Sequence, residues 1–117
     1  TAYTPHVIRS MKDTFSIVHC CGDTAEVLDQ LADLGETCLS VETHTDPAGI
    51  LAKVGRKVKL AGGLRPIDLL LQGTPEAIVR TARQYAELGY PLIAPECGVP
   101  PQTPDANLQA LADYRSR

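Results

Sequence analysis

The sequence has no tryptophan, and its aromatic residues are one phenylalanine and four tyrosines. That is too few rings for a surface that binds single-stranded nucleic acid by base stacking. A basic excess is also missing. The net charge is −3 and the pI is near 5.5. Such a chain has no broad cationic face for a polyanion, so no nucleic acid is expected as a partner. No apolar run approaches the roughly 20 residues that a helix needs to cross a bilayer, so no membrane is expected either. The opening Thr1-Ala2-Tyr3-Thr4-Pro5 has no charged stretch leading into an apolar one, which argues against a secretory signal. It also lacks an initiator Met, as a processed chain or an excised piece would. Low-complexity tracts, charge blocks and linkers are all absent.

What is present suits one globular domain. The chain has 117 residues, 44% of them hydrophobic and 21% charged. That is enough for one core and leaves little for a second. The four cysteines are Cys20, Cys21, Cys38 and Cys97. Without a signal peptide they imply a reducing compartment, the cytoplasm. Adjacent Cys20 and Cys21 fit poorly into a pairwise disulfide framework. Metal binding or catalysis is the special use to look for.

The local signals repeat. An N-cap residue followed by proline occurs at Thr4-Pro5, Asp46-Pro47, Thr74-Pro75 and Thr103-Pro104. Proline loses nothing at the first helical position, and its fixed φ suits the first turn. Asp23 with Glu26 adds a start of capping-box type. Gly35, Gly55 and Gly89 are placed to end helices in the left-handed conformation. Apolar residues share a helical face at Val27, Leu28, Leu31 and Leu34, at Ile78, Val79, Ala82 and Ala86, and at Leu108, Leu111 and Ala112. Between them lie short apolar runs: Phe15 to Val18, Cys38 to Val41, Val58 to Ala61 and Leu92 to Ala94. These read as strands. A first helix followed by four strand-helix units predicts an α/β fold with a parallel sheet and right-handed crossovers. Both a small open sheet and part of a (β/α)8 barrel satisfy that order. In both, chemistry belongs at the carboxyl ends of the strands.

The first strand runs into His19-Cys20-Cys21-Gly22. Side chains alternate faces along a strand, so His19 and Cys21 share one while Cys20 points away. Cys97 stands at the fourth strand end. One imidazole and two thiols suit zinc, with a fourth position left for water or substrate. The plain alternative is that the cysteines are small buried hydrophobes. Glu42, at the second strand end, is a candidate ligand, supporting carboxylate or general base, or else a solvated charge. His44 reads as a loop histidine. Gly62-Gly63 lacks phosphate-loop spacing, so these glycines read as a close backbone approach beneath a ligand. Arg65 reads as a surface residue, with contact to an anionic substrate group as the alternative; Cys38 reads as core.

At this point the sequence resembles a known family. His19-Cys20-Cys21-Gly22 resembles the H-x-C-G motif of cobamide methyltransferases of the MtaA/CmuA type, within the uroporphyrinogen decarboxylase superfamily. Lys59-Leu60-Ala61-Gly62-Gly63-Leu64-Arg65-Pro66 is similar to the superfamily's G-N-hydrophobic-x-P stretch, with Gly63 in place of Asn. Leu71-Gln72-Gly73-Thr74-Pro75-Glu76 resembles the following G-T-P-E helix start. The run from Pro95-Glu96-Cys97-Gly98-Val99-Pro100-Pro101 to Asn107 is similar to C-G-V-P-P-x-T-P-x-x-N. Decarboxylases proper carry a G-H-G-I type sequence at Cys97 and lack the H-x-C pair. The resemblance covers nearly the whole chain.

It implies the C-terminal half of a TIM (β/α)8 barrel, strands five to eight, with residues 1–117 as one domain. It further implies zinc held by His19, Cys21 and Cys97, a catalytic role for Glu42, and Gly62 and Gly63 on the cofactor side. The implied activity is a methyltransferase of one-carbon metabolism and methanogenesis. It would move a methyl group from a corrinoid on a partner protein to a thiol such as coenzyme M. The alternatives are a metal-free enzyme of uroporphyrinogen decarboxylase type and a non-catalytic binding or structural half-domain. A full barrel takes about 250 residues. A half-barrel therefore needs its open strand edges covered, by a homodimer or by the missing N-terminal half.

Overall fold

The computed structural model describes residues 3–11 and 13–117. Thr1 and Ala2, weighed above as the start of a signal segment, lie outside the described residues, as does Lys12. In chain order the elements are α1 (Thr4–Ser10), β1 (Ile17–Cys20), α2 (Leu28–Ala32), β2 (Cys38–Val41) and α3 (Pro47–Val54). Then follow β3 (Lys59–Leu64), a π-helical turn (Pro66–Leu71), α4 (Pro75–Leu88), β4 (Leu92–Pro95), α5 (Asp105–Ala112) and a 3-10 turn (Tyr114–Ser116).

The four strands form one sheet in the order β1-β2-β3-β4, every pair parallel. Each crossover adds its strand on the same side as the last. A doubly wound sheet reverses that direction partway, whereas a barrel never does. The chain is therefore an arc of four barrel strands with flanking helices. Strands β1 and β4 are its free edges.

Most of the expected elements form, with shifts that have local causes. Asp46 and Thr74 cap α3 and α4, accepting from the N–H groups of Gly49 and Ala77. The other two proline signals are displaced by one residue. Helix α1 begins at Thr4 itself, leaving Tyr3 at the cap, and α5 begins after Pro104. The capping box at Asp23 and Glu26 does not form. Asp23 instead accepts from the N–H of Ala25, closing a local turn, and α2 starts late with exposed Val27 at its cap. Gly35 and Gly89 take positive φ, but Gly55 stays right-handed at φ −62°. Strand β1 starts two residues after Phe15, which is left exposed, and β3 extends through the glycine pair to Leu64.

The main core lies between the sheet and the helices. It gathers Leu28, Leu39, Val41, Val54, Leu60 and Tyr85, with Val18 and Cys20 packed against it. The alternation in β1 thus sends Val18 and Cys20 to the helix side and leaves Ile17 and His19 on the other, exposed face. A second cluster joins Leu64, Leu70, Ile78 and Ala110. The inward face of α5 is Asn107, Ala110 and Leu111, whereas Leu108 and Ala112 are exposed. Asn107 is what turns that helix. Its amide donates to the carbonyls of Leu70 (2.7 Å) and Gly73 (3.0 Å) and so ties α5 to the π-helical turn.

Candidate metal centre

His19 Nε2 lies 3.0 Å from Cys21 Sγ, and Cys21 Sγ lies 2.8 Å from Cys97 Sγ. One ligand atom from each of the three residues falls within 4.8 Å of the others. Bonds of about 2.0–2.3 Å to a tetrahedral zinc would separate its ligands by roughly 3.6–3.8 Å. The three donors bracket that spacing, so they fit the ion with small side-chain adjustments. On its other nitrogen, His19 Nδ1 is 3.0 Å from Ser40 Oγ, its partner across the β1–β2 register. A histidine fixed in this way presents Nε2 for a metal.

The electrostatics of the three side chains point the same way. The hydrogen bond with Cys97 holds the Cys21 thiol above its ordinary pKa. Partial desolvation and the charges of Cys97, Glu42 and Cys20 add to the effect. A divalent cation relieves that crowding of sulfur and carboxylate charge. Burial raises the Cys38 thiol as well, and Cys38, buried in β2, is not one of the three grouped donors.

Glu42 is half-buried just past β2 and makes no hydrogen bond among the described residues. It lines a cleft of about 350 Å³ together with His44, Arg65, Ile67, Cys97 and Pro100. Arg65 is held in an exposed ion pair with Asp68 at 3.1 Å. His44 is more than a loop histidine, since its Nδ1 meets Glu96 Oε2 at 2.9 Å.

Glu96 is the buried residue beside the site that sequence reasoning missed. Its side chain is 1% exposed. Oε1 accepts from the Thr43 N–H (2.8 Å) and the Thr43 hydroxyl (2.7 Å), while the Tyr85 hydroxyl donates to Thr43 Oγ1 (2.9 Å). The only signal was a second carboxylate at a strand end, next to Cys97. Its burial was not legible. The glycine pair makes room for this network. A Cβ on Gly62 would stand 2.9 Å from Thr43 Oγ1, and one on Gly63 would stand 3.2 Å from the Tyr85 ring. Gly63 also has φ +127°, which side-chain-bearing residues rarely adopt.

An arc of (β/α)8 barrel with one nitrogen and two sulfur donors at the carboxyl ends of its strands defines the class: a barrel domain with a candidate metal centre. The chain belongs to the uroporphyrinogen decarboxylase (URO-D) family, whose sequence profile matches residues 1–117. It is 29% identical over 113 residues to the methylcobamide:CoM methyltransferase MtbA of Methanosarcina acetivorans, covering 95% of this chain and 33% of that protein. It is 34% identical over 104 residues to the methylcobamide:CoM methyltransferase MtaA of Methanosarcina barkeri, covering 88% and 31%. A solved methyltransferase from Methanosarcina mazei superposes with a TM-score of 0.91 at 28% identity, over 98% of this chain and 34% of that one. The chain thus spans about a third of the length of the curated relatives it matches.

Proposed function

We propose that residues 1–117 form the zinc-binding C-terminal half-barrel, strands five to eight, of a cytoplasmic methyltransferase. It would move a methyl group from a methylated corrinoid on a partner protein to a thiol such as coenzyme M. The observation that carries this reading is the meeting of His19, Cys21 and Cys97, supported by the names of the relatives. Bound zinc would acidify the substrate thiol, which otherwise titrates near 8.5, and hold it as the nucleophilic thiolate.

The chain's own residues do the rest. Ser40 fixes the His19 ring. Glu42 lines the cleft beside Cys97 and its charge acts on Cys21. We assign it the role of proton acceptor beside the three donors, where it would take up the proton that the substrate thiol gives up. The cleft of about 350 Å³ receives the remainder of a small thiol. Gly62 and Gly63 would serve the corrinoid side indirectly, by leaving room for the Thr43 and Tyr85 side chains. The free edges of β1 and β4 call for a covering partner, which in this reading is the N-terminal half-barrel or a second copy.

The test is zinc content together with demethylation of methylcobalamin by a thiol acceptor, followed in the visible spectrum. About one zinc per chain, lost in Cys97→Ala, is expected. A chain that takes up no zinc on titration overturns the reading.

A further inference from the structure

We infer that Glu96 is a positioning residue, a buried staple that aims Cys97 at the H-x-C pair of β1. The inference rests on the metal-centre reading above and adds to it how the remote ligand is brought in.

The geometry poses a problem that Glu96 solves. Cys97 follows β4, and β2 and β3 lie between β4 and β1. Three inter-strand spacings amount to roughly 14 Å, yet the sulfurs of Cys97 and Cys21 stand 2.8 Å apart. Curvature of the arc and a turn after β4 that leans across the strand ends toward β1 together close that gap. Glu96 is tied in that direction twice. Its N–H donates to the Leu64 carbonyl at the end of β3 (2.9 Å). Its carboxylate reaches past β3 to Thr43 and His44, just beyond β2. Gly62 and Gly63 on the intervening strand leave the space through which this contact is made.

Stability alone is a poor reason for such a group. Replacing a buried polar group together with its partners by apolar residues of the same shape is often nearly neutral or stabilising. What the carboxylate supplies is direction. Both its oxygens are held by residues of one strand end, and the next residue in the chain is the ligand.

The test compares Glu96→Leu and Glu96→Gln with the unaltered 117-residue chain, all in a Cys20→Ser background. One readout needs no metal. In a glutathione redox buffer, the Cys21 and Cys97 thiols give up two protons and two electrons to form a disulfide, and one oxidised glutathione becomes two reduced. The equilibrium measures how well the sulfurs are aligned. The second readout is cobalt(II) uptake, where sulfur-to-cobalt charge-transfer bands report the number of thiolate ligands.

Glu96→Leu is expected to lower the disulfide equilibrium about tenfold. It should also weaken cobalt binding by about 10- to 100-fold, the usual cost of losing a supporting group, and leave about half the charge-transfer intensity. Glu96→Gln keeps an oxygen for Thr43 and an N–H for His44 and should restore both readouts. A folded Glu96→Leu chain with unaltered disulfide equilibrium and bands overturns the inference, as does a Glu96→Gln chain as impaired as the leucine variant. If Glu96→Leu fails to fold, Thr43→Val removes the hydroxyl, with its bonds to Glu96 and Tyr85, and keeps the backbone N–H donor. It should lower both readouts in the same direction, and its failure to do so overturns the inference too. If the unaltered chain takes up no cobalt, the metal reading fails by itself, and the disulfide comparison still decides the role of Glu96.

Discussion

Cys21 and Cys97 bring their sulfurs within 2.8 Å of each other from opposite edges of a four-stranded sheet. No local segment of the chain contains that pair. It exists because the arc curves and because the turn after β4 is drawn back over the strand ends. Whatever chemistry the protein performs at this pair depends on tertiary structure being intact.

The donor set can be tested one member at a time. Cys97→Ala removes one of two thiolates and should abolish stoichiometric zinc. Ser40→Ala leaves all three ligands but frees the His19 ring. Its expected effect is milder, a loss of about 10- to 100-fold in zinc affinity. Competition with a chromophoric chelator measures both. Equal zinc affinity in the serine variant would show that the Nδ1 contact does not orient the ligand.

Glu42 separates metal binding from turnover. In Glu42→Gln the three donors of the cluster remain, so about one zinc per chain should persist. Methyl transfer should fall by about 10²- to 10⁴-fold, the usual contribution of a positioned proton acceptor. The assay requires the chain together with the remainder of its barrel. Loss of zinc in this variant would make Glu42 a required ligand instead.

Glu36 gives a pH-dependent prediction away from the site. It is buried just before β2, and its carboxylate finds no partner beyond a weak contact with its own backbone, which lowers its pKa less than burial raises it. Burial, aided by the charge of Asp33, raises its pKa above the ordinary carboxylate value. The folded state thus keeps this proton to higher pH than the unfolded state. The associated stability is complete below the unfolded-state value and is lost as pH rises through the folded-state value. Glu36→Leu should stabilise the chain at pH 7 by about 1–3 kcal/mol, the cost of an unpaired buried polar group. Its advantage should shrink near pH 4. Urea denaturation at the two pH values measures this, and an advantage that grows on acidification would contradict it.

Asn107 is a structural test. Asn107→Ala removes the donor to the Leu70 and Gly73 carbonyls. The expected cost is about 1–3 kcal/mol, with loosening of the contact between α5 and the π-helical turn. Hydrogen exchange should show the change in α5 first, with little effect on β1 and β2.

Gly63→Ala places a side chain at φ +127° and 3.2 Å from the Tyr85 ring. Strain of this kind costs about 1–3 kcal/mol. Because Tyr85 donates to Thr43, which donates to Glu96, the same change should also weaken metal uptake. A variant that is destabilised but binds zinc normally would uncouple the glycine from the site.

The sequence by itself determined the periodic and the local. Alternating strand and helix signals specify a parallel sheet, because each βα unit carries its own apolar period and its own stops. Asp46 and Thr74 cap their helices as read, since a cap needs only residues within one turn. The H-x-C alternation was equally legible, and Cys20 does pack into the core, away from His19 and Cys21. Placement at a strand end picked out Cys97 as the companion of that pair, and the family motif agrees with it. Signals that compete locally were harder to read. Asp23 serves a turn rather than α2, and Gly55 ends a helix without leaving right-handed space.

Only the tertiary structure decided what depends on distant neighbours. Burial is a property of the packed chain, and Glu96 looks like Glu42 in the sequence: each is a carboxylate at a strand end. One is buried because Thr43, His44 and Tyr85 converge on it; the other faces the cleft. The glycine pair likewise shows its reason only when Thr43 and Tyr85 fill the space it leaves. Hydrophobic period is written residue by residue, but the partners of a buried polar group are chosen by the fold.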